Sequence, residues 1–216
     1  WRVVEGGSRE YLAPLTQRFS NTIRTRMRVD KILRPPGKPV LVQFTNGLQR
    51  EFDEVVIATH SNDALSMLGD PTDSEKSVLG ALPYRDNEVI LHTDTRLLPK
   101  TQRAWSSWNY RLRQSNSQAT LTYNMNILQG INSPETFCVT LNDTDSIDPD
   151  TILGEYRYAH PQFTIKGIAA QQRWQDINGP RNTWFCGAYW RNGFHEDGLF
   201  SGNRVADAIL KKRGLR

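Results

Sequence analysis

Apolar and polar residues change their spacing several times along this chain, and each change predicts an element. In "SREYLAPLTQRF", Tyr11, Leu15 and Phe19 recur one helical turn apart behind Ser8, the pattern of a short amphipathic helix with Ser8 as its N-cap. "TIRTRMRVDKIL" then alternates apolar Ile23, Met27 and Val29 with basic residues. "PVLVQFTNGLQREF" reads as two strands joined at Asn46-Gly47, because that pair tolerates the positive φ of a hairpin turn. Val55, Val56, Ile57 and Ala58 follow one another without a polar break, which puts bulk on both faces and predicts a parallel strand buried between layers. "SNDALSML" and "TDSEKSVLGAL" each open on a capping residue and predict short helices.

From about residue 83 to 145 the helical period disappears. "NEVILHTD", "RAWSSWNYRL", "ATLTYNMNIL" and "TFCVTLN" are β-rich and separated by polar or Gly/Pro breaks, so an antiparallel sheet is expected. "DPDTILGEYRYAHP" predicts a helix, with Asp148 as N-cap and Pro149 at the first helical position. "FTIKGIAAQQRW" predicts a strand and "TWFCGAYW" a short apolar one. Residues 197–213 predict a closing helix whose apolar stripe is Leu199, Val205, Ala206 and Ile209. The fold class is therefore α/β at both ends with an α+β insertion, a mainly antiparallel block, between them.

Composition narrows the function without naming it. With 38% hydrophobic and 23% charged residues among 216, the chain suits one large domain or two small ones. No apolar run approaches the about 20 residues of a membrane span, and Trp1-Arg2-Val3-Val4 lacks the layout of a signal peptide. The chain does not start with Met, and we expect it to be the C-terminal portion of a longer polypeptide. Two cysteines, Cys138 and Cys186, exclude a disulfide scaffold and a four-thiolate zinc site, and fit a reducing, cytoplasmic setting. The net charge is +4, but the basic residues are scattered. Lys211, Lys212, Arg213 and Arg216 suit the negative pole of the last helix, so no nucleic-acid partner is expected.

The densest chemistry lies in "YWRNGFHEDGLFSGNRVADAIL", residues 189–210. A strand ending in Gly187-Ala188, a loop, and a helix opening with Gly198, Ser201 and Gly202 would aim unpaired N–H groups and partial positive charge into a crevice. His195, Glu196 and Asp197 are adjacent in sequence and so are poorly placed to share a metal; no metal site is expected. Asp197 reads either as an N-cap or as a ligand contact, and Tyr189, Trp190 and Phe194 either as core or as site. His60, at the carboxyl end of the apolar strand, could touch a ligand or cap a loop. Trp105, Trp108 and Tyr110 could line a substrate cavity. No Ser-His-Asp order, P-loop or zinc spacing stands out.

"WFCGAYWRNGFHEDGLFSGNRVADAIL" resembles the C-terminal flavin-binding segment of the flavin-containing amine oxidase superfamily, in particular its bacterial branch of predicted NAD/FAD-binding, amine-oxidase-like proteins. "VEGGSREYLAPL", "VDKI", "NGLQREFDEVVIATH" and "LHTDTRLLPKTQRAWSSWNYR" are similar to earlier parts of the same family, in the same order. The resemblance implies a partial Rossmann-like FAD-binding domain, residues 1–60 and 183–216, and a substrate domain, 61–182. It implies that Val29 offers backbone groups near the adenine, and that Gly187, Ala188, His195, Glu196, Asp197 and Gly198 lie along the flavin. It implies FAD as cofactor and a small-molecule substrate; the family's water-holding lysine has no identifiable counterpart, and no catalytic residue is assigned. The family's G-x-G-x-x-G occurs nowhere in the sequence, which puts FAD binding by this chain alone in doubt. The activity so implied is hydride transfer from substrate to flavin. The alternatives are a flavin-dependent isomerase or desaturase-like protein acting on a lipid or polyene, and a non-catalytic binding module.

Overall fold

The computed structural model describes residues 4–112 and 120–215; Trp1 to Val3 and Ala119 of the expected strand "ATLTYNMNIL" lie outside the described residues. In chain order the helices are α1 (Leu12–Thr16), α2 (Ser61–Met67), α3 (Asp73–Gly80), α4 (Met125–Gln129), α5 (Ile165–Gln171), α6 (Trp174–Ile177) and α7 (His195–Lys212). The strands are β1 (Val29–Leu33), β2 (Val40–Phe44), β3 (Gln49–Phe52), β4 (Val55–Ile57), β5 (Tyr84–His92), β6 (Trp108–Arg111), β7 (Thr120–Asn124), β8 (Cys138–Leu141), β9 (Ile152–Pro161) and β10 (Thr183–Phe185). They fall into two compact units: a first of residues 1–23 and 86–159, and a second of residues 24–85 and 160–216. These boundaries differ from the division at 60/61 and 182/183 expected from the sequence.

The second unit holds an antiparallel sheet β1-β2-β3 and a parallel pair β10-β4. Gly47 supplies the positive φ at the β2–β3 turn, as Asn-Gly predicts. β4 is parallel, as its apolar run predicts, with Trp184 opposite Val56 and Phe185 opposite Ile57. Only one face of it is covered: Ile57 is buried, but Val56 is 45% exposed, which corrects the expectation of a strand closed in on both sides. Around these sheets α2, α3, α5, α6 and α7 enclose a core containing Ile32, Val42, Ile57, Leu79, Phe185 and Tyr189. Thr72 forms a full capping box with Glu75 at the start of α3.

Buried ion pairing joins this core. Arg34 donates its backbone N–H and Nε–H to Asp70 at 2.9 and 3.0 Å and its guanidinium to both oxygens of Glu75. Arg181 donates to the Asp70 carboxylate and to the Arg34 carbonyl, so β1, α3 and the turn before β10 share one network.

The first unit is built on one antiparallel sheet, order β6-β7-β8-β5-β9. Its cross-strand register sorts side chains by an unusual rule. Trp108, Tyr123, Val139 and Leu91 form one row, and Tyr110, Leu121, Leu141 and Val89 the next, all apolar or aromatic. The opposite face carries Asn109, Thr122, Thr140 and Ile90 and, one row along, Asn124, Cys138 and His92, all of them buried; of the apolar rows Val89 is buried as well, and Trp108 and Tyr110 at the β6 edge are exposed. His92 Nε2 bonds Thr140 Oγ1 at 2.7 Å, Thr140 bonds Thr122 at 2.9 Å, and the Asp94 N–H donates to His92 Nδ1. The last bond fixes the ring as the neutral tautomer protonated on Nε2, and burial holds its pKa below the usual histidine value.

Three predicted elements are replaced by others. The helix behind Ser8 is a 3-10 turn, Ser8–Tyr11, with Gly7 at its N-cap, followed by the five residues of α1, and it buries none of its apolar residues. Asp148 does cap, accepting from the Asp150 N–H at 3.1 Å, but a single turn follows and the chain then runs as β9. Ile152, Tyr156 and Tyr158 favour a strand, Gly154 opposes a helix, and pairing with β5 satisfies the backbone. Conversely, the strand expected in "FTIKGIAAQQRW" is α5, because Thr164 Oγ1 caps the Gly167 N–H at 2.9 Å and Ala169, Ala170 and Gln171 are good helix formers. Among the described residues no helix is long and apolar enough to cross a membrane.

Candidate functional site

The two parallel strands of the second unit run the same way, so their carboxyl ends open side by side: Ala58, Thr59 and His60 after β4, Cys186, Gly187 and Ala188 after β10. The Cys186 N–H donates to the Ile57 carbonyl at 3.1 Å and holds the two exits together. Ligands of α/β folds collect at such edges. The loop after β10 returns at once to the start of α7, where Gly187 N–H donates to Ser201 Oγ at 3.1 Å and Gly193 N–H to the Ala188 carbonyl at 3.1 Å.

The fold requires glycine at one of these positions and leaves room for a side chain at two others. A Cβ on Gly187 would stand 2.5 Å from the ring of Tyr189, which is buried and cannot yield. A Cβ on Gly198 would meet nothing nearer than the Ala188 nitrogen at 4.0 Å, and one on Gly202 nothing within 4 Å. The first turns of α7 thus present bare backbone to open space, which is what a planar ligand requires of a helix it lies against.

Asp197 neither caps α7 as its N-cap residue nor points outward. Phe194 takes the N-cap position, and the buried Asp197 carboxylate reaches back from the first turn to accept the Phe194 and Asn192 N–H groups at 3.0 and 3.2 Å, with Arg191 Nε 3.5 Å away. It shapes the loop beside the helix start. Replacing it by Ala should cost about 2 kcal/mol, because two N–H groups lose their acceptor. Asp197→Asn, which keeps one acceptor oxygen, should recover part of that in urea denaturation. His195 and Glu196 are exposed on the first turn. The buried stripe of α7 is Asp197, Ser201 and Val205, with Ala208 and Ile209 against the core; Leu199 and Ala206 are exposed instead, correcting the stripe expected from the sequence. Tyr189 and Trp190 are core, and Phe194 is exposed.

Val29 lies on a different wall. It begins β1 where the register with β2 slips between Val29 and Lys31, a bulge that loosens the pairing of the backbone there. With Phe44, Phe52, Val55, Val56 and Met67 it lines a mainly apolar cavity of about 730 Å³ whose floor is β4. β4 is therefore common to both features: its face floors the cavity and its carboxyl end adjoins Gly187.

His60 stands at the N-cap of α2, its ring stacked on Tyr84 at 4.1 Å and 17° and its Nδ1 3.8 Å from Asp63 Oδ2. Burial, with a smaller contribution from Asp63, pushes the Tyr84 phenol up to about 12. Burial likewise raises the thiols of Cys186 and Cys138, the latter to about 11, so neither is a thiolate nucleophile near neutral pH. Gln171 went unread in the sequence: its Nε2 donates to the Tyr189 and Arg191 carbonyls, both at 2.8 Å, and clamps the loop before α7. Nothing in the sequence flags a glutamine eighteen residues before its partner, in a segment that reads as a strand.

In the first unit Trp105 follows a 3-10 turn and spends its indole N–H on the Pro99 carbonyl at 2.8 Å. Trp108 and Tyr110 lie two apart on β6 and so share its open face; Trp108 meets Tyr123 edge-on at 5.8 Å.

Comparison with known proteins gives these features a family. No curated protein sequence matches the chain. Among solved structures, the CLA-producing fatty acid isomerase from P. acnes matches with a TM-score of 0.57 and 15% identity over 84% of this chain and 47% of that one. Reduced UDP-galactopyranose mutase matches at 0.62 and 12%, over 88% and 48%. Putrescine oxidase with putrescine bound matches at 0.63 and 12%, over 96% and 53%. At such identities the likeness is one of fold, and the chain spans about half the length of each of these structures. The family model described as flavin containing amine oxidoreductase matches residues 2–133, more than half of the sequence. The chain belongs to the flavin containing amine oxidoreductase family.

Proposed function

We propose that this chain is the flavin-facing and substrate-facing part of a FAD-dependent oxidoreductase that moves a hydride from its substrate to the flavin. The observation that carries this reading is the pairing of exposed backbone at Gly198 and Gly202 with the adjacent carboxyl ends of β4 and β10. The residues fit a flavin ring there: Gly187, Ala188 and Gly198 would pass along it, and the positive pole of α7 would favour the electron-rich side of the ring. Asp197 would fix the loop that bears His195 and Glu196. Val29, at its bulge in the cavity wall, would offer backbone groups to the adenine. Under this reading residues 1–60 and 183–216 serve the cofactor and residues 61–182 the substrate. The flavin, when bound, supplies the redox chemistry; the chain's own groups orient it and keep its surroundings dry.

A second reading has its own support. Two cross-strand rows of the first unit are apolar or aromatic and end in the exposed Trp108 and Tyr110, which suits an uncharged substrate and a redox-neutral isomerase or desaturase-like reaction on a lipid or polyene.

Titration with riboflavin and with FAD, followed by quenching of flavin fluorescence, tests the cofactor site in this chain. Both should bind saturably, and FAD no more than about tenfold tighter than riboflavin, because the sequence has no G-x-G-x-x-G to hold its pyrophosphate. Absence of quenching by either ligand would remove the flavin reading. In the complete encoded protein, bleaching of bound flavin by an amine separates the oxidase from the isomerase.

A further inference from the structure

β9 ends the sheet of the first unit, with β5 on one side and, among the described residues, no strand on the other. A strand so placed offers a row of backbone N–H and C=O groups for pairing, which soluble proteins usually shorten, cover or guard with charge. β6, at the opposite end, runs for four residues, whereas β9 runs for ten. Neither face of β9 is covered at its middle: Glu155, Tyr156, Arg157 and Tyr158 follow one another and all are exposed. Two of these carry opposite charge, and among the described residues neither the Glu155 carboxylate nor the Arg157 guanidinium has an ion-pair partner.

We propose that β9 pairs with β9 of a second copy of this chain, antiparallel and centred on Tyr156, to form a two-fold dimer. The order of side chains along the strand selects that partner. About Tyr156, an antiparallel copy sets Glu155 against Arg157 of the partner subunit, and the two-fold axis makes that pair twice. Opposite charges that face one another across strands stabilise the pairing, and like charges oppose it. A parallel copy in register would set Glu155 against Glu155 and Arg157 against Arg157, so the charges choose the direction as well as the partner. Charges of one sign would keep two such edges apart; a glutamate and an arginine two residues apart bring them together. The other face of the strand fits the same pairing. Gly154, Tyr156 and Tyr158 share it, with Tyr156 stacked on Tyr158 at 5.8 Å and 13° and its Oη 2.7 Å from where a Cβ on Gly154 would stand. In the dimer Gly154 lies opposite Tyr158 of the partner subunit, so tyrosine rings from both copies cover the backbone that the glycine leaves bare. Leu153, 55% exposed, meets Ala159 of the partner subunit. Such a dimer requires neither flavin nor substrate.

Sedimentation velocity over a concentration series tests the pairing. The chain should pass from monomer toward dimer by about 100 μM, the weak range expected of a small interface, and added salt should shift it back. Glu155→Arg and Arg157→Glu, both at exposed positions, should each weaken association by at least about tenfold, because each sets two like-charged pairs across the interface. Glu155→Arg and Arg157→Glu combined in one chain should bring association back to within about threefold of the wild type, since the reversed order is still complementary to itself. An equimolar mixture of the two single variants should form a mixed dimer although neither variant associates alone, an outcome that misfolded chains cannot produce. Arg103→Glu, an exposed charge elsewhere in the same unit, should change nothing. A chain that stays monomeric at about 100 μM, or a dimer indifferent to the single variants, would overturn the proposal. So would a double variant or a mixture that associates no better than the single variants do.

Discussion

Replacing Arg34 by Met should destabilise the second unit by about 3–5 kcal/mol, the loss typical of breaking a buried ion pair from one side. The Arg34 side chain is 1% exposed and that of Glu75 is 4% exposed, so the carboxylate left behind has no water to turn to. The guanidinium binds both oxygens of Glu75 and also Asp70 through Nε, a planar two-sided arrangement that lysine cannot reproduce. Arg34→Lys should therefore fall between the wild type and Arg34→Met. Urea denaturation of the three proteins checks the order, and a loss below about 1 kcal/mol for Arg34→Met would mean that the network contributes little.

The same network sets a pH signature. Burial pushes the carboxyls of Asp70 and Glu75 up, but hydrogen bonds and the charge of Arg34 outweigh it and hold both below the usual carboxylate range. A carboxyl held low in the folded chain gives stability that is complete above its unfolded pKa of about 4 and is lost as the pH falls below it. The wild type should therefore weaken as the solution is acidified below that value. In Arg34→Met the buried Glu75 has lost its cation, its pKa lies above the unfolded value, and protonation relieves it. The contribution of Glu75 to the acid dependence should reverse sign, an outcome that a general loosening of the core would not produce.

The parallel strand at Val55, the Asn-Gly hairpin, the helices α2 and α3 and the closing helix were all legible, because in each case local propensity and tertiary packing agree; the cap expected at Ser61 is not formed, and its Oγ donates instead to the Leu82 carbonyl. At 148–161 they diverge. Asp148-Pro149 is a sound helix start and forms one turn, but the decision between helix and strand rests with β5, more than fifty residues away. The site is divided in the same manner. Gly187 could be read from composition, since a Cβ there would stand 2.5 Å from Tyr189, whereas Gly198 has no such neighbour and its part in a site stays a proposal. The role of Asp197 could not, because an N-cap and a first-turn carboxylate that reaches back differ by three residues of register that only the loop settles. The polar chain through His92, Thr140 and Thr122 was hidden for a related reason. Alternation and register show which residues share a face, but not which face is covered by the rest of the unit.

Gly198 provides the prediction in which stability and function take opposite signs. It lies in the first turns of α7, where a methyl group would meet only the Ala188 nitrogen at 4.0 Å, so Gly198→Ala has room in the folded chain. Alanine also loses less backbone entropy than glycine in a helix, and the variant should be more stable by about 0.5–1 kcal/mol. If the open space beside Gly198 is where a flavin ring lies, the same methyl group intrudes on it. Overpacking of about 1–3 kcal/mol corresponds to a roughly 5- to 150-fold weaker Kd for riboflavin, and Gly198→Leu should abolish binding. Gly80, at the end of α3 with nothing within 4 Å of its added Cβ, serves as the comparison: Gly80→Ala should leave riboflavin binding unchanged. A Gly198→Ala chain that is more stable and binds riboflavin as tightly as the wild type would move the ring away from the start of α7. The positive pole of that helix would then face a different ligand, or none.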